Sequence, residues 1–123
     1  MPGPGVELIG EEEIAEVLDV LTNRSLSRYG NEDDPRFKAK VRQVEHEIAA
    51  LAGVRFGLGV HGGGSSGLWL SLLGLGIGPG DEVIVPGFTF VASISAIVYA
   101  RGIPVLAEVD DSFNLDPVDV EVP

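Results

Sequence analysis

The segment Val60-His61-Gly62-Gly63-Gly64-Ser65-Ser66-Gly67 holds more potential chemistry than any other in the chain. Consecutive glycines leave backbone N–H groups bare, permit positive φ and let a ligand approach the main chain closely. Ser65 and Ser66 add two hydroxyls, each both donor and acceptor. Where such a run joins an apolar strand to a helix, orphan N–H groups and the helix dipole together favour an anion. A phosphate-bearing small molecule is the expected ligand.

Other reactive side chains are sparse. With no cysteine and two separated histidines, a zinc site is not expected. His61, beside the turn, reads first as a structural histidine, and His46, between Glu45 and Glu47, as a surface one. Asp110, Asp111, Asp116, Asp119 and Glu121 lack calcium-loop spacing and its central glycine, so they read as a solvated acidic loop.

The elements around the turn follow from periodicity. Ile14, Val17, Leu18 and Leu21 predict a helix over 11–21, with Glu11, Glu12 and Glu13 in its first turn. Asp34-Pro35 reads as the cap of a second amphipathic helix carrying Phe37, Val41, Val44, Ile48 and Leu51, stopped near Gly53. Then the texture changes. Strands are expected at 55–60, 81–85 and 104–109, and apolar helices at 65–75 and 89–100. Such alternation with short connections means a parallel β-α-β-α-β unit with right-handed crossovers. Its two apolar helices predict burial in something larger than three strands. Two regions result, a helical segment over 1–52 and an α/β part over 53–123.

A net charge of −11 and a pI near 4.3 argue against nucleic acid and anionic membrane surfaces as partners. The start has neither a basic n-region nor an apolar h-region, and the longest apolar run is too short for a bilayer. A cytoplasmic setting is expected.

Three phosphate-binding patterns compete for the glycines. The nucleotide P-loop needs a lysine after its last glycine, where Ser65 stands. The dinucleotide fingerprint is met literally by Gly57, Gly59 and Gly62. Yet two of these fall inside the apparent strand, and Asp81 and Glu82 precede the next strand instead of ending it. An NAD(P)-binding Rossmann domain of an oxidoreductase is therefore the weaker enzyme alternative.

The third pattern is longer. Gly53-Val54-Arg55-Phe56-Gly57-Leu58-Gly59-Val60, Gly63-Gly64-Ser65 and the leucine-rich 68–75 are followed by Gly76-Ile77-Gly78-Pro79-Gly80-Asp81-Glu82-Val83-Ile84-Val85-Pro86. Thr89-Phe90-Val91-Ala92-Ser93 and Pro104-Val105-Leu106-Ala107-Glu108-Val109-Asp110 complete it. From about Gly53 to Asp119 the chain resembles the first part of the DegT/DnrJ/StrS family of pyridoxal-phosphate (PLP) sugar aminotransferases. Arg28-Tyr29-Gly30 and the helix with Glu45 and His46 also resemble that family's N-terminal region.

The resemblance implies the first part of a fold type I PLP-transferase large domain over 53–123, preceded by two amphipathic helices. It implies that the PLP phosphate is held by Gly63, Gly64 and Ser65, with Ser66 next in line, and that Phe90 stacks on the pyridine ring. Phe88 is the less favoured substitute, and Arg28 and Tyr29 match a segment facing a dimer partner. The implied substrates are a keto-sugar or cyclitol and an amino-acid donor, in a homodimer of the intact parent.

The family's Schiff-base lysine and its pyridinium acid lie downstream of the matched region. The only lysines here, Lys38 and Lys40, lie upstream. The chain alone is therefore expected not to transaminate, and no catalytic residue is assigned. A branch that dehydrates sugars, with histidine replacing that lysine, is left open. So is a non-catalytic remnant or half-module that needs a partner chain.

Overall fold

The computed structural model describes residues 5–121, which form two compact units, Met1–Gly59 and Val60–Pro123. Among these residues no helix is long and apolar enough to cross a membrane.

In the first unit a 3-10 turn at Val6–Leu8 precedes helix α1, Glu11–Asn23. Glu13 reaches back to accept the Gly10 N–H at 2.7 Å, which holds its carboxyl below the usual range. Helix α2 spans Lys40–Leu51, starting later than the sequence suggests. Asp34 does not cap it. Instead its carboxylate binds Arg36 through both backbone N–H and guanidinium, folding a separate turn before the helix. Ala39, at φ 50, occupies the N-cap position without a side-chain cap bond. Lys40 of α2 forms ion pairs with Glu16 and Asp19 of α1, and Lys38, just before α2, pairs with Asp19.

The expected strand at 55–60 is the clearest departure. Residues 56–60 have no ladder partner. Gly59 gives its N–H to the Glu45 carboxylate at 2.7 Å and its carbonyl to Arg28 at 3.3 Å, so side chains stand where a neighbouring strand would. The sheet therefore has two strands among the described residues, not three.

The second unit begins with α3, Gly63–Gly74, then β1, Glu82–Pro86, α4, Val91–Tyr99, and β2, Ile103–Ala107. The strands pair in parallel, Glu82 opposite Ile103 through Pro86 opposite Ala107. Helix α4 packs on both strands and on α3, where Trp69 and Tyr99 meet edge to face at 6.3 Å. The core is built of small residues, with Val85, Ala92, Ala96, Ile97, Ala100 and Ala107 all buried. Alanines let α4 lie close to the strands, and a Cβ at Gly102 would sit 3.1 Å from Ile77. Helix α3 buries no residue, and Leu68, Leu70 and Leu73 are exposed. The acidic stretch is more ordered than a loop. A bridge joins Val109 to Leu115, and Asp116 caps α5, Pro117–Val120, by accepting the Val118 N–H at 2.9 Å.

The glycine-rich block between α3 and β1 has a local cause. Gly76, at φ +84, donates to the Leu73 carbonyl while Ile77 donates to Leu72, the left-handed helix stop that glycine permits. Asp81 then accepts the Gly78 N–H at 2.8 Å, closing a tight turn into β1.

Candidate functional site: the turn that opens helix α3

Helix α3 starts without protection. Its N-cap is Gly62, at φ 92, so no side chain can accept from the first-turn amides, and that turn contains no acid. The N–H groups of Gly63, Gly64 and Ser65 come too early to find an intrahelical carbonyl. A Cβ at Gly63 or Gly64 would meet nothing within 4 Å, so this face is open. At Gly62 the reverse holds, because a Cβ would lie 2.2 Å from Ser66 Oγ. Only glycine fits there, by conformation and by space.

Ser65 is exposed and Ser66 half-buried, and neither hydroxyl has a protein hydrogen-bond partner among the described residues. The other α3 serine, Ser71, gives its hydroxyl to the Gly67 carbonyl. Bare amides, two free hydroxyls and the positive end of a dipole form a donor set suited to a phosphate dianion.

Phe90 occupies the N-cap position of α4, just after β1 ends, and is 75% exposed. Phe88 is taken by Phe113, the ring centroids lying 5.8 Å apart. Of the two, Phe90 thus keeps a free aromatic face. Thr89 and Ser93 bond to each other at 3.1 Å across the start of α4. The carboxyl ends of parallel strands are where α/β sheets bind ligands, and Phe90 stands at such an end. His61 and His46 are both exposed. No group of three or more potential metal ligands lies together among the described residues.

Sequence reasoning missed the role of Glu45. It lies on a helix between residues that face water, yet it is 8% exposed and paired with Arg28 at 2.6 Å. The clue was Gly57 and Gly59 downstream, whose missing side chains admit it. Arg28, expected to face a dimer partner, is engaged within its own unit by Glu45 and the Gly59 carbonyl.

The parallel α/β unit thus combines an open glycine-serine turn at one helix start with a free aromatic at the next. The chain belongs to the DegT/DnrJ/EryC1/StrS aminotransferase family, whose profile matches residues 7–122. It is 38% identical to the Bacillus subtilis spore coat polysaccharide biosynthesis protein SpsC over 115 residues, 93% of this chain and 27% of that protein. It is 50% identical over 72 residues to a UDP-N-acetyl-3-dehydro-alpha-D-glucosamine 3-aminotransferase of Acidithiobacillus ferrooxidans, 58% of this chain and 19% of the relative. A Streptomyces kanamyceticus L-glutamine:2-deoxy-scyllo-inosose aminotransferase is 49% identical over 59 residues, 47% of this chain and 14% of the relative. Among solved structures, 3-amino-5-hydroxybenzoic acid synthase superposes with a TM-score of 0.80 at 34% identity, covering 91% of this chain and 27% of the synthase. A candidate sugar aminotransferase of Streptococcus pneumoniae in its PMP form gives a TM-score of 0.78 at 30% identity, over 91% of this chain and 26% of that one. The fold is thus that of the fold type I PLP-dependent aminotransferases, and the chain spans about a quarter of the length of these relatives.

Proposed function

We propose that this chain is the phosphate-holding part of a PLP-dependent aminotransferase that moves an amino group from an amino acid to a keto-sugar or cyclitol. The observation that carries the reading is the unprotected start of α3, with its open glycines and partnerless serine hydroxyls. Gly63, Gly64 and Ser65 would hold the cofactor phosphate by backbone N–H groups and a hydroxyl, with Ser66 as a second hydroxyl. Phe90 would lie against the pyridine ring, fixing its plane while leaving its edge free for hydrogen bonds. When bound, the cofactor supplies an electron sink for the amino-group transfer.

Residues 53–123 are then the first part of the cofactor domain, and 1–52 a helical segment before it. The enzyme acts as a homodimer in the cytoplasm, with no nucleic-acid or membrane partner. The family membership and the sugar and cyclitol substrates in relatives' names support this assignment.

The 123 residues alone do not transaminate. Lys38 and Lys40, the only lysines, pair with carboxylates of α1 and lie in the segment that precedes the cofactor domain. The test compares the protein at its natural length with the isolated chain, each given glutamate or glutamine and a panel of nucleotide keto-sugars and cyclitol ketones. The first is expected to yield an amino product and the second none. Product from the isolated chain would overturn the claim of inactivity, and no product from the protein at its natural length would overturn the assignment.

A further inference from the structure

We propose that Phe113 is a positioning residue for the cofactor ring: its side chain holds Phe88, and with it the short connection that presents Phe90. The inference rests on the stacking role proposed for Phe90, and all of its residues lie in the unit Val60–Pro123.

Phe113 stands in a conformation that a side chain resists. Val109 pairs with Leu115, Asp110 donates its N–H to the Asn114 carbonyl at 3.0 Å, and Phe113 donates to the Asp110 carbonyl at 3.0 Å. These bonds close a hairpin with a three-residue loop, whose last residue, Phe113, is left-handed at φ 61. Glycine suits that loop position, because it takes positive φ without steric cost. Among the described residues, the other side-chain-bearing positions with positive φ are Arg24, Ala39 and Arg101, each at or beside a helix end.

Core packing does not explain a phenylalanine here, since Phe113 is 71% exposed. Its aromatic partner is Phe88, with ring centroids 5.8 Å apart, and Phe88 is itself 70% exposed. A backbone held against its local preference, beyond the carboxyl ends of parallel strands and without burial to offset it, points to a functional constraint.

The constraint falls on Phe88. It lies in the connection Gly87–Phe90 between β1 and α4, whose other residues are tied down. Gly87 gives its N–H to the Ala107 carbonyl at 2.8 Å, the Thr89 hydroxyl bonds that of Ser93 at 3.1 Å, and the Phe90 carbonyl accepts the Ser93 N–H at 3.0 Å. The main-chain groups of Phe88 make no hydrogen bond among the described residues, so its ring is its attachment. With Phe88 held by Phe113, all four residues of the connection are fixed. Phe113 itself touches no ligand in this account.

The test uses the protein at its natural length, freed of cofactor. It is titrated with pyridoxamine 5′-phosphate (PMP), which carries the ring, and with inorganic phosphate, which does not. Phe90→Ala is expected to weaken PMP binding about tenfold and Phe113→Gly about threefold, the scale of lost aromatic contacts, with phosphate binding unchanged. Phe113→Gly is also expected to unfold at the same or a higher temperature, because it releases the left-handed strain. Phe113→Tyr keeps the ring and is expected to bind PMP as wild type does. If Phe90→Ala leaves PMP affinity unchanged, the stacking role fails and the inference with it. The inference alone is overturned if Phe90→Ala weakens PMP while Phe113→Gly leaves it unchanged or weakens both ligands equally. It is overturned too if Phe113→Tyr loses as much as Phe113→Gly. Should Phe113→Gly not fold, Phe113→Leu, apolar without the ring, decides: a PMP-only loss supports the inference, and an equal loss or none overturns it.

Discussion

Met1–Gly59 and Val60–Pro123 are similar in length and are held together by different forces. In the first unit the fixed points are charged: Lys40 with Glu16, Lys38 with Asp19, Arg42 with Glu32, Arg36 with Asp34 and Arg28 with Glu45. Its apolar stripes stay largely uncovered, with Ile14, Val17, Leu18, Leu21, Val44 and Ile48 all exposed. In the second unit the fixed points are small apolar residues between α4 and two strands, and the described residues make no ion pair there. The difference locates rigidity. In the second unit buried side chains of α4 and the two strands pack together, whereas surface ion pairs contribute only modestly and are weakened by salt.

The largest effect should come from the apolar side. Val85→Ala removes two methyl groups from a residue 4% exposed, and we expect a loss of about 2 kcal/mol in the unfolding free energy of the second unit. Chemical denaturation measures it, and a change under about 0.5 kcal/mol would show that this core is not what holds the unit.

A smaller gain is expected at two helix ends. Arg24 after α1 and Arg101 after α4 stand at φ 55 and 67, in left-handed stops where α2 and α3 use Gly53 and Gly76. Left-handed backbone costs a side-chain-bearing residue about 1 kcal/mol, so Arg101→Gly should stabilise by up to that amount. Thermal unfolding measures it. Destabilisation would mean that the Arg101 side chain makes contributions the backbone does not reveal.

Salt separates the units further. Raising sodium chloride to about 1 M should loosen the α1–α2 pairing by less than about 1 kcal/mol and leave α4 and the strands unchanged. Hydrogen exchange read residue by residue distinguishes the two. The smallest expected effect is local. Arg36 beside Asp34 lowers the Asp34 carboxyl to about 2. Because that value lies below its unfolded one, the turn's contribution is present above the ordinary carboxyl range and is lost as pH falls through about 2. A carbon-13 titration with a midpoint near the ordinary 3.8 would contradict the pairing.

Much of the second unit was legible because its signals are local. Gly76 and Gly80 mark positive φ, Asp81 closes a turn, and the alternation of strands and helices forces a parallel sheet. The strand expected at 55–60 was not. Phe56 and Leu58 have the composition of a buried strand, but a strand also needs a partner, and both side chains are exposed. Nothing in a one-dimensional pattern shows that Gly59 would pair with side chains instead. Asp34 misled for a related reason: a good capping residue two positions before an arginine has a competing partner. The glycine-serine run of the candidate site was legible in one dimension, whereas the Glu45–Arg28 pair depends on a contact far apart in sequence.

The central claim is that the start of α3 holds the cofactor phosphate. Amide nitrogen–proton spectra recorded during titration with PMP, and separately with pyridoxamine, test it most directly. The account predicts that the Gly63, Gly64 and Ser65 resonances move with PMP and stay in place with pyridoxamine. Equal movement with both ligands, or movement confined to other residues, would contradict it.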